Sequence, residues 1–384
     1  MLVVRNETFL RYEDRLYILG SSSNQLYDNN CYYMGSITLL GWVKEAALAD
    51  VALPEQYHEN ADIKLSLYPA ALSLRQKAKI IKEEVRRAEA VSIKLTITDA
   101  IIAGLYALRF KKPFVVESAG FAFSSLWSHG GSILYKIAAI PVELLIRWLH
   151  RKAKYIIYVS RHFLQKKYPS RARQIGCPDV VLSLPETDVL ERRLDRIQHH
   201  DGPYILGLVG ATQAEYRGHD TLIKAAKCLL DRGYDVRVAF LGGGTRDKQR
   251  MDCAQKYGVS DRIEFCGKLP HDRVGDWIDS IDVLVMPTLQ ETLGRAIIEA
   301  MSRGCPVVGS SETAIREQLG DDCIVSARDV SGIADVIENM ISNIDYASAC
   351  AKENFFRSFK YVSSYTNNIR KKFYSDFYRR ELGR

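Results

Sequence analysis

Two glutamates separated by seven residues, Glu291 and Glu299, form the most informative pattern of this chain. Glu291 follows the apolar run VLVM at 283–286, which is typical of a strand in a parallel sheet covered on both faces. Ligands of open α/β sheets bind outside the carboxyl ends of the strands, so a ligand is expected near Glu291. A helix is predicted to begin near Leu293 and to end before Gly304 and Pro306.

The spacing of the two acids has a chemical interpretation. A helix rises about 1.5 Å per residue, which puts Glu299 roughly 9 Å along the helix from its first turn. This is close to the length of a diphosphate with a sugar at each end. One carboxylate could hold hydroxyls of a sugar at the loop and the other a ribose, with the diphosphate against the helix N-terminal amides. The alternative is an ordinary loop acid and a solvated helix residue.

The segment 291–308, ETLGRAIIEAMSRGCPVV, resembles the Glu-x7-Glu signature of the family 4 retaining glycosyltransferases. The resemblance is strong over roughly residues 203–320 and implies an α/β protein of the GT-B fold, with two Rossmann-like domains facing a cleft. This chain has Thr292 and Leu293 where the family usually has Gly-Phe or Gly-Leu. It has Thr313 and Ala314 in place of the usual Gly-Gly.

The chain length of 384 residues exceeds what one hydrophobic core usually supports, and strand and helix patterns alternate along it. Residues 1–185 are predicted to form an N-terminal acceptor-binding Rossmann-like domain. The charged segment 186–203 is predicted to be a linker, and residues 204–355 a nucleotide-sugar-binding Rossmann-like domain. Residues 356–384 are expected to form C-terminal helices that pack back on the first domain.

The resemblance assigns roles to residues in the second domain. Arg217 matches the cation that grips the donor diphosphate, whereas Ala211 stands where the family often has a second cation. The resemblance nominates Gly243 beside the nucleotide and the backbone of Lys268 and Leu269 at the base. The predicted catalytic residues are Glu291, Arg217, Ser118 and His129, and the predicted donor-binding residues are Glu299, Gly210, Thr212, Gly243, Lys268, Leu269, Leu293, Gly294 and Arg295.

The first half of the chain specifies the acceptor side less fully. Ser118 and His129 are nominated because the segment 115–131 begins with a strand and should approach the ligand cleft. A lone histidine is more often structural. Residues 5–35 are polar and rich in Tyr and Asn, and a hairpin is predicted around 21–24.

Charge is unevenly distributed. Residues 1–200 contain 28 Lys and Arg against 20 Asp and Glu, a net +8, and residues 201–384 contain 25 against 26, a net −1. The basic half is a candidate for peripheral contact with a membrane or a lipid pyrophosphate. The stretch 133–154 combines an apolar pattern with a basic end, which fits an interfacial helix or a core helix whose final cations complement its dipole.

Composition and short motifs limit the kinds of metal site and the cellular location that are expected for this protein. The 8 cysteines include no Cys-x-x-Cys pair, which argues against a zinc site and is typical of free thiols in a reducing compartment. No uncharged run is long enough to span a bilayer, and no signal peptide is evident at the start of the sequence, so a cytoplasmic location, peripheral on the inner face of the membrane, is expected. No Asp-x-Asp triplet occurs, so no metal and no cofactor are expected.

The sequence therefore predicts a metal-independent retaining glycosyltransferase. It would move a hexose-type sugar from a UDP- or GDP-sugar to a glycan or lipid-linked acceptor in surface polysaccharide biosynthesis. A noncatalytic GT-B partner subunit and a nucleotide-sugar epimerase are the alternatives. Nucleic acid is not expected as a partner, because the basic half lacks a stacked-aromatic or recognition-helix pattern.

Overall fold

A computed structural model describes residues 1–20, 22–95, 98–121 and 133–384. The chain divides into two compact units: unit 1 comprises Met1–Val181 with Ser363–Arg384, and unit 2 comprises Leu182–Val362. None of the helices within the described ranges is long and apolar enough to cross a membrane.

Unit 1 contains a nine-stranded sheet among its described residues. Its parallel strands run in the order β5-β3-β1-β6-β7-β8-β9, and β2 and β4 add an antiparallel extension beside β1. The strands are β1 (Leu2–Tyr12), β2 (Arg15–Leu19), β3 (Ile37–Glu45), β4 (Glu55–Gln56), β5 (Ile63–Pro69), β6 (Val91–Lys94), β7 (Phe114–Ser118), β8 (Tyr155–Tyr158) and β9 (Arg173–Gly176). The helices are α1 (Asn24–Met34), α2 (Leu74–Arg87), α3 (Thr98–Arg109), α4 (Ile133–Lys152) and α5 (Phe163–Lys167).

The predicted hairpin around 21–24 is wrong. The turn between β1 and β2 comes earlier, at Glu13 and Asp14, and helix α1 begins at Asn24. Ser23 caps this helix, because its side chain accepts a hydrogen bond from the Leu26 backbone N–H at 3.2 Å. The polar residues that indicated a turn therefore mark a helix start.

Unit 2 is built on a parallel sheet in the order β12-β11-β10-β13-β14-β15. This is the doubly wound order, and its topological switch point lies between β10 and β13. The strands are β10 (Tyr204–Val209), β11 (Val236–Leu241), β12 (Ile263–Gly267), β13 (Val283–Met286), β14 (Val307–Ser310) and β15 (Ile324–Val325). The helices are α6 (Thr187–Gln198), α7 (His219–Asp231), α8 (Asp247–Lys256), α9 (Val274–Ser280), α10 (Arg295–Ser302), α11 (Val330–Ser342) and α12 (Ile344–Ser358).

The segment 186–203 differs from the predicted linker, because most of it is helix α6 within unit 2. Arg193 is buried on this helix and donates to the carbonyl oxygens of Ile278 at 2.8 Å and Ile281 at 2.7 Å. These carbonyls lie at the end of α9 and have no partner within that helix. The charged composition thus belongs to an amphipathic helix that satisfies buried backbone groups.

Helix α13 (Ser363–Leu382) returns to unit 1, as predicted for the C-terminal helices. Its aromatic side chains Phe373, Tyr374 and Phe377 join a core cluster with Val115 of β7 and Ile157 of β8. Burial of such large side chains stabilises a domain by about 1.5–3 kcal/mol each. Residues 356–362 belong to unit 2, so the return begins at Ser363 and not at 356 as predicted.

Candidate active site

The pair formed by Arg217 and Glu291 lies at the switch point of the unit 2 sheet. An Arg217 guanidinium nitrogen donates to Glu291 Oε2 at 2.6 Å. Arg217 ends a short 3-10 turn after β10, and Glu291 lies in the loop after β13, the neighbouring strand. The fold therefore brings together two residues that are 74 positions apart in the sequence, at the edge of the sheet where ligands bind.

The two loops are held against each other by backbone contacts. Gly218 has a φ of +84°, and a Cβ atom added there would lie 2.2 Å from the Pro287 carbonyl oxygen. The Leu289 N–H donates to the Tyr216 carbonyl oxygen at 2.8 Å. Only glycine permits this approach with this backbone conformation. Gly218 thus sets the distance between the Arg217 turn and the Glu291 loop.

Electrostatics keeps Glu291 ionised. Burial alone would raise the pKa of Glu291, but the Arg217 guanidinium and the N–H groups of Gly294 and Thr292 outweigh it and hold this pKa below its ordinary value. The Thr292 N–H donates to Glu291 Oε1 at 3.1 Å. Since both side chains are only partly exposed, the charge is available to a ligand without being fully hydrated.

Three buried hydroxyl residues support the Glu291 loop: Thr288, Ser310 and Thr313. The Ser310 hydroxyl donates to the Thr288 carbonyl oxygen at 2.6 Å and lies 3.2 Å from the Thr313 hydroxyl. The Ala314 N–H donates to the Glu291 carbonyl oxygen at 3.1 Å. The sequence patterns did not predict this support. The only signal was a small polar residue near the end of each of two apolar strands, Thr288 two residues beyond β13 and Ser310 at the last position of β14.

Helix α10 begins two residues later than predicted, at Arg295. Gly294 has a φ of +67° and caps the helix, and a Cβ atom there would lie 2.8 Å from Gln318 Oε1. Gln318 donates through Nε2 to the Leu293 carbonyl oxygen. These contacts fix the backbone that leads into the N-terminus of α10, which contains the predicted donor-binding residues Leu293, Gly294 and Arg295.

Glu299 lies four residues after Arg295, about one turn or roughly 6 Å along the helix. Burial raises the pKa of Glu299 above its ordinary value, and the neighbouring basic side chains His271 and Arg295 oppose this shift. His271 belongs to the segment that follows β12. Glu299 is therefore a half-buried acid whose ionised form gains from additional hydrogen-bond donors.

The loops after β10, β11 and β12 also converge. A Cβ atom on Gly242, which has a φ of +118°, would lie 2.7 Å from the Gly210 carbonyl oxygen. A Cβ atom on Gly243 would meet only Lys268 Cγ, at 3.9 Å. The structure thus brings Gly210, Gly243 and Lys268 together, and Leu269 follows Lys268 with an exposed side chain.

Thr212, a predicted donor-binding residue, is held by helix α8, and its contact with the donor stays a prediction. The residue is fully buried, and its hydroxyl donates to Asp247 of α8. Arg250 of the same helix donates to the Thr212 carbonyl oxygen at 3.2 Å. Because its polar groups are already engaged with α8, Thr212 shapes the loop between β10 and α7.

In unit 1, Ser118 is buried at the end of β7 and contacts His150 of α4. The Ser118 hydroxyl lies 3.0 Å from His150 Nε2, and His150 Nδ1 lies 2.8 Å from the Ile146 carbonyl oxygen. Burial lowers the pKa of His150 to about 4, so the ring is neutral near pH 7. The Nδ1–H therefore donates to Ile146 and Nε2 accepts from Ser118. The Ser118 hydroxyl is therefore buried against His150, its predicted catalytic role stays a prediction, and His129 lies outside the described residues.

The residue next to Ser118, Glu117, belongs to a buried charge network. Its Oε1 accepts from Arg370 of α13 at 3.1 Å and from the Tyr374 hydroxyl at 3.3 Å. Burial alone would raise the pKa of Glu117, but the positive charges of Arg370, Arg5 and Lys94 outweigh it and lower this pKa. Helix α13 thus fixes the carboxyl end of β7 in addition to filling the core.

Known proteins that resemble this chain in sequence include glycosyltransferases. Residues 203–343 match the family model described as glycosyl transferases group 1. CapJ of Staphylococcus aureus is 26% identical and aligned over 98% of this chain and 97% of its own length. A 2-deoxystreptamine N-acetyl-D-glucosaminyltransferase of Streptomyces fradiae is 33% identical over 31% of this chain and 28% of its own length.

Solved structures resemble the whole chain. HepE from Anabaena, in complex with UDP, superposes with a TM-score of 0.71 at 13% identity, covering 98% of this chain and 99% of that one. Sucrose-phosphate synthase from Thermosynechococcus elongatus gives a TM-score of 0.68 at 14% identity, with 98% of each chain covered. The protein therefore has the GT-B type of α/β fold, and the segment that matches the glycosyl transferases group 1 model lies in unit 2.

Among the residues that the structure describes, no group of three or more His, Cys, Asp and Glu side chains is arranged to hold a metal ion. The eight cysteines carry free thiols. The candidate site is thus made of a paired cation and anion, a helix N-terminus and a second acid on that helix.

Proposed function

We propose that this protein is a retaining glycosyltransferase that moves a hexose-type sugar from a nucleoside diphosphate sugar to a glycan or lipid-linked glycan acceptor. The observation that carries the proposal is the contact of 2.6 Å between Arg217 and Glu291 at the switch point of the unit 2 sheet. The match of residues 203–343 to a glycosyltransferase family model supports the same reaction class.

The donor diphosphate would lie between Arg217 and the N-terminus of α10. Arg217 holds one carboxylate in this structure, and a diphosphate with its larger negative charge competes for the same guanidinium. The N–H groups near Leu293, Gly294 and Arg295 add partial positive charge at this end of the helix. Exchange of partners would release the Glu291 carboxylate to accept hydrogen bonds from sugar hydroxyls.

Glu299 is proposed to bind the ribose of the donor. Its raised pKa reflects burial without enough hydrogen-bond donors, and a vicinal diol supplies two such donors to one carboxylate. The base would lie beside Gly243 and the backbone of Lys268 and Leu269. UDP and GDP are the proposed nucleotides, and the structurally similar HepE has been solved in complex with UDP.

Retention and metal independence are parts of the same proposal. Arg217 and the amides of the α10 N-terminus would stabilise the departing diphosphate by preorganised charge, which is the role that a metal ion plays in other transferases. The acceptor would attack on the face from which the diphosphate leaves, and a donor phosphate oxygen would take the acceptor proton. Arg295 would assist in holding the diphosphate.

The acceptor is proposed to be a glycan or lipid-linked glycan of surface polysaccharide biosynthesis. The likeness to CapJ over 98% of the chain supports this, since its name points to the capsule. His129 is proposed to reach the transferred sugar. Ser118 would act on the site only by fixing the end of β7, because it is buried.

The direct test is sugar transfer by the full chain from UDP- and GDP-hexoses to lipid-linked acceptors extracted from a capsule-forming bacterium. We expect nucleoside diphosphate release that depends on the acceptor, and a product with the anomeric configuration of the donor by NMR. Glu291→Gln should lose at least about 100-fold in kcat/KM, because an ionised hydrogen-bond partner of the reacting sugar is removed. A product of inverted configuration would refute the retaining mechanism, and conversion of the donor without acceptor would refute transfer.

A further inference from the structure

Helix α4 presents apolar side chains on two opposite faces. Ala139, Ile146 and Leu149 are buried, and a Cβ atom on Gly104 of α3 would lie 3.1 Å from Leu149 Cδ2. The helix is therefore anchored in unit 1 by this inner face. A surface helix of a globular protein normally carries polar residues on its other face.

The outer face of α4 is instead apolar. The exposed fractions are 62% for Ile137, 56% for Ile140, 61% for Leu144 and 41% for Trp148. Their spacing of three, four and four residues puts them within one arc of the helix. Helix α2 of the same unit shows the usual pattern, with Arg75, Lys79 and Arg86 exposed on its outer face.

Cations lie beside this apolar arc and at the C-terminal end of α4. Residues 133–173 contain ten Lys and Arg against one acid, Glu143. Arg151 and Lys152 are exposed at the end of α4, and Lys152 Nζ lies 6.0 Å from the Trp148 ring centre. Arg147 donates to the Lys167 carbonyl oxygen at 3.1 Å, which holds the exposed pair Lys166 and Lys167 beside α4.

We propose that the outer face of α4 docks unit 1 on an anionic lipid surface. The side chains Ile137, Ile140, Leu144 and Trp148 would enter the boundary between headgroups and acyl chains, and the cations at 151–152 and 166–167 would contact lipid phosphates. A tryptophan next to a lysine is suited to this boundary, because its ring is apolar and its N–H is polar. Charge favours a lipid surface over a second protein chain, because the exposed cations at 151–152 and 166–167 lie next to the apolar side chains, as anionic headgroups lie next to acyl chains.

The test is flotation of the full chain with phosphatidylcholine vesicles, with and without phosphatidylglycerol. The wild type should float with the anionic vesicles and stay in solution with the neutral ones. Leu144→Ser should lower the ratio of bound to free protein by at least about tenfold, the effect of losing one buried leucine. Arg151→Gln combined with Lys152→Gln should lower it by about fivefold per cation, and added salt should reduce that difference.

Leu74→Ser is the matched control, because Leu74 is an exposed leucine on α2 of the same unit. It should bind as the wild type does, and the melting temperatures of all variants should agree. Emission of Trp148 should shift to shorter wavelength on binding, and Trp148→Phe should remove the shift.

Equal flotation of Leu144→Ser and wild type would overturn the proposal. A stable dimer in light scattering that Leu144→Ser dissociates would also overturn it and assign the face to a second copy. Nucleotide binding is measured separately without vesicles, so either this proposal or the proposed transferase function can fail without the other.

Discussion

The buried pair of Arg370 and Glu117 provides a sharp test of how α13 contributes to unit 1. Arg370→Met removes a cation whose contact with Glu117 is 3.1 Å, while leaving a side chain of similar length. Both side chains are about 3% exposed, so the remaining carboxylate stays out of water. Breaking one partner of such a pair usually costs about 3–5 kcal/mol.

The measured quantity is the free energy of unfolding in urea, followed by tryptophan emission. Three of the four tryptophans, Trp42, Trp127 and Trp148, lie in residues 1–181, so the signal is weighted to unit 1. A loss of about 3–5 kcal/mol is a large part of the total stability of a typical domain, about 5–15 kcal/mol. We expect the first unfolding transition to move strongly to lower urea.

Two further variants separate the pair from the helix. Arg379→Met removes an exposed cation on α13 that is paired with Asp376, and it should cost at most about 1 kcal/mol. Glu117→Gln added to Arg370→Met should restore most of the lost stability, because no buried charge is left without its partner. A loss below about 1 kcal/mol for Arg370→Met, or no recovery in the double variant, would refute the reasoning.

Three other predictions concern charge and pH. In calorimetry, Arg217→Ala should raise the Kd for the cognate nucleoside diphosphate at least about tenfold, whereas Arg232→Ala, which removes an ion pair at the opposite end of α7, should not. Glu299→Gln should increase the free energy of unfolding at neutral pH, because the folded state raises the pKa of this acid and so disfavours its ionised form. This gain in stability should vanish below about pH 4.5. At neutral pH the same variant should bind the donor more weakly. Folding lowers the pKa of His150 from 6.5 to about 4, so the free energy of unfolding of the wild type should fall as pH decreases from 6.5 to 4. In urea titrations, His150→Gln should reduce the dependence of this free energy on pH. An unchanged dependence on pH would contradict the prediction.

Local patterns of the sequence were sufficient for the unit 2 sheet and for the placement of Glu291 after β13. Apolar runs such as VLVM at 283–286 directly indicate a buried parallel strand. Gly304 and Pro306 mark the end of the helix that follows. The contact between Arg217 and Glu291 could not be predicted in the same way. It depends on the close packing of Gly218 against Pro287, which no local pattern reports.

Unit 1 was harder to predict because tertiary contacts determine whether its polar residues are buried or available to a ligand. Ser118 follows an apolar strand as a site residue would, yet its hydroxyl is buried against His150, which lies 32 residues later. In unit 2, the charged segment 186–203 has the composition of a linker, but Arg193 finds its partners in backbone carbonyls more than 80 residues away. Composition alone cannot distinguish a solvated charge from one that satisfies a buried group.

The most direct test of the central claim is stabilisation of the purified protein by UDP, GDP, ADP and CDP in thermal unfolding. A nucleotide at a hundred times its Kd should add about 2.7 kcal/mol to the free energy of unfolding. We expect this for UDP or GDP in the wild type and in Arg232→Ala, and a much smaller effect in Arg217→Ala and Glu299→Ala. Equal stabilisation of Arg217→Ala and wild type, or no stabilisation by any of the four nucleotides, would contradict a donor site at the switch point of unit 2.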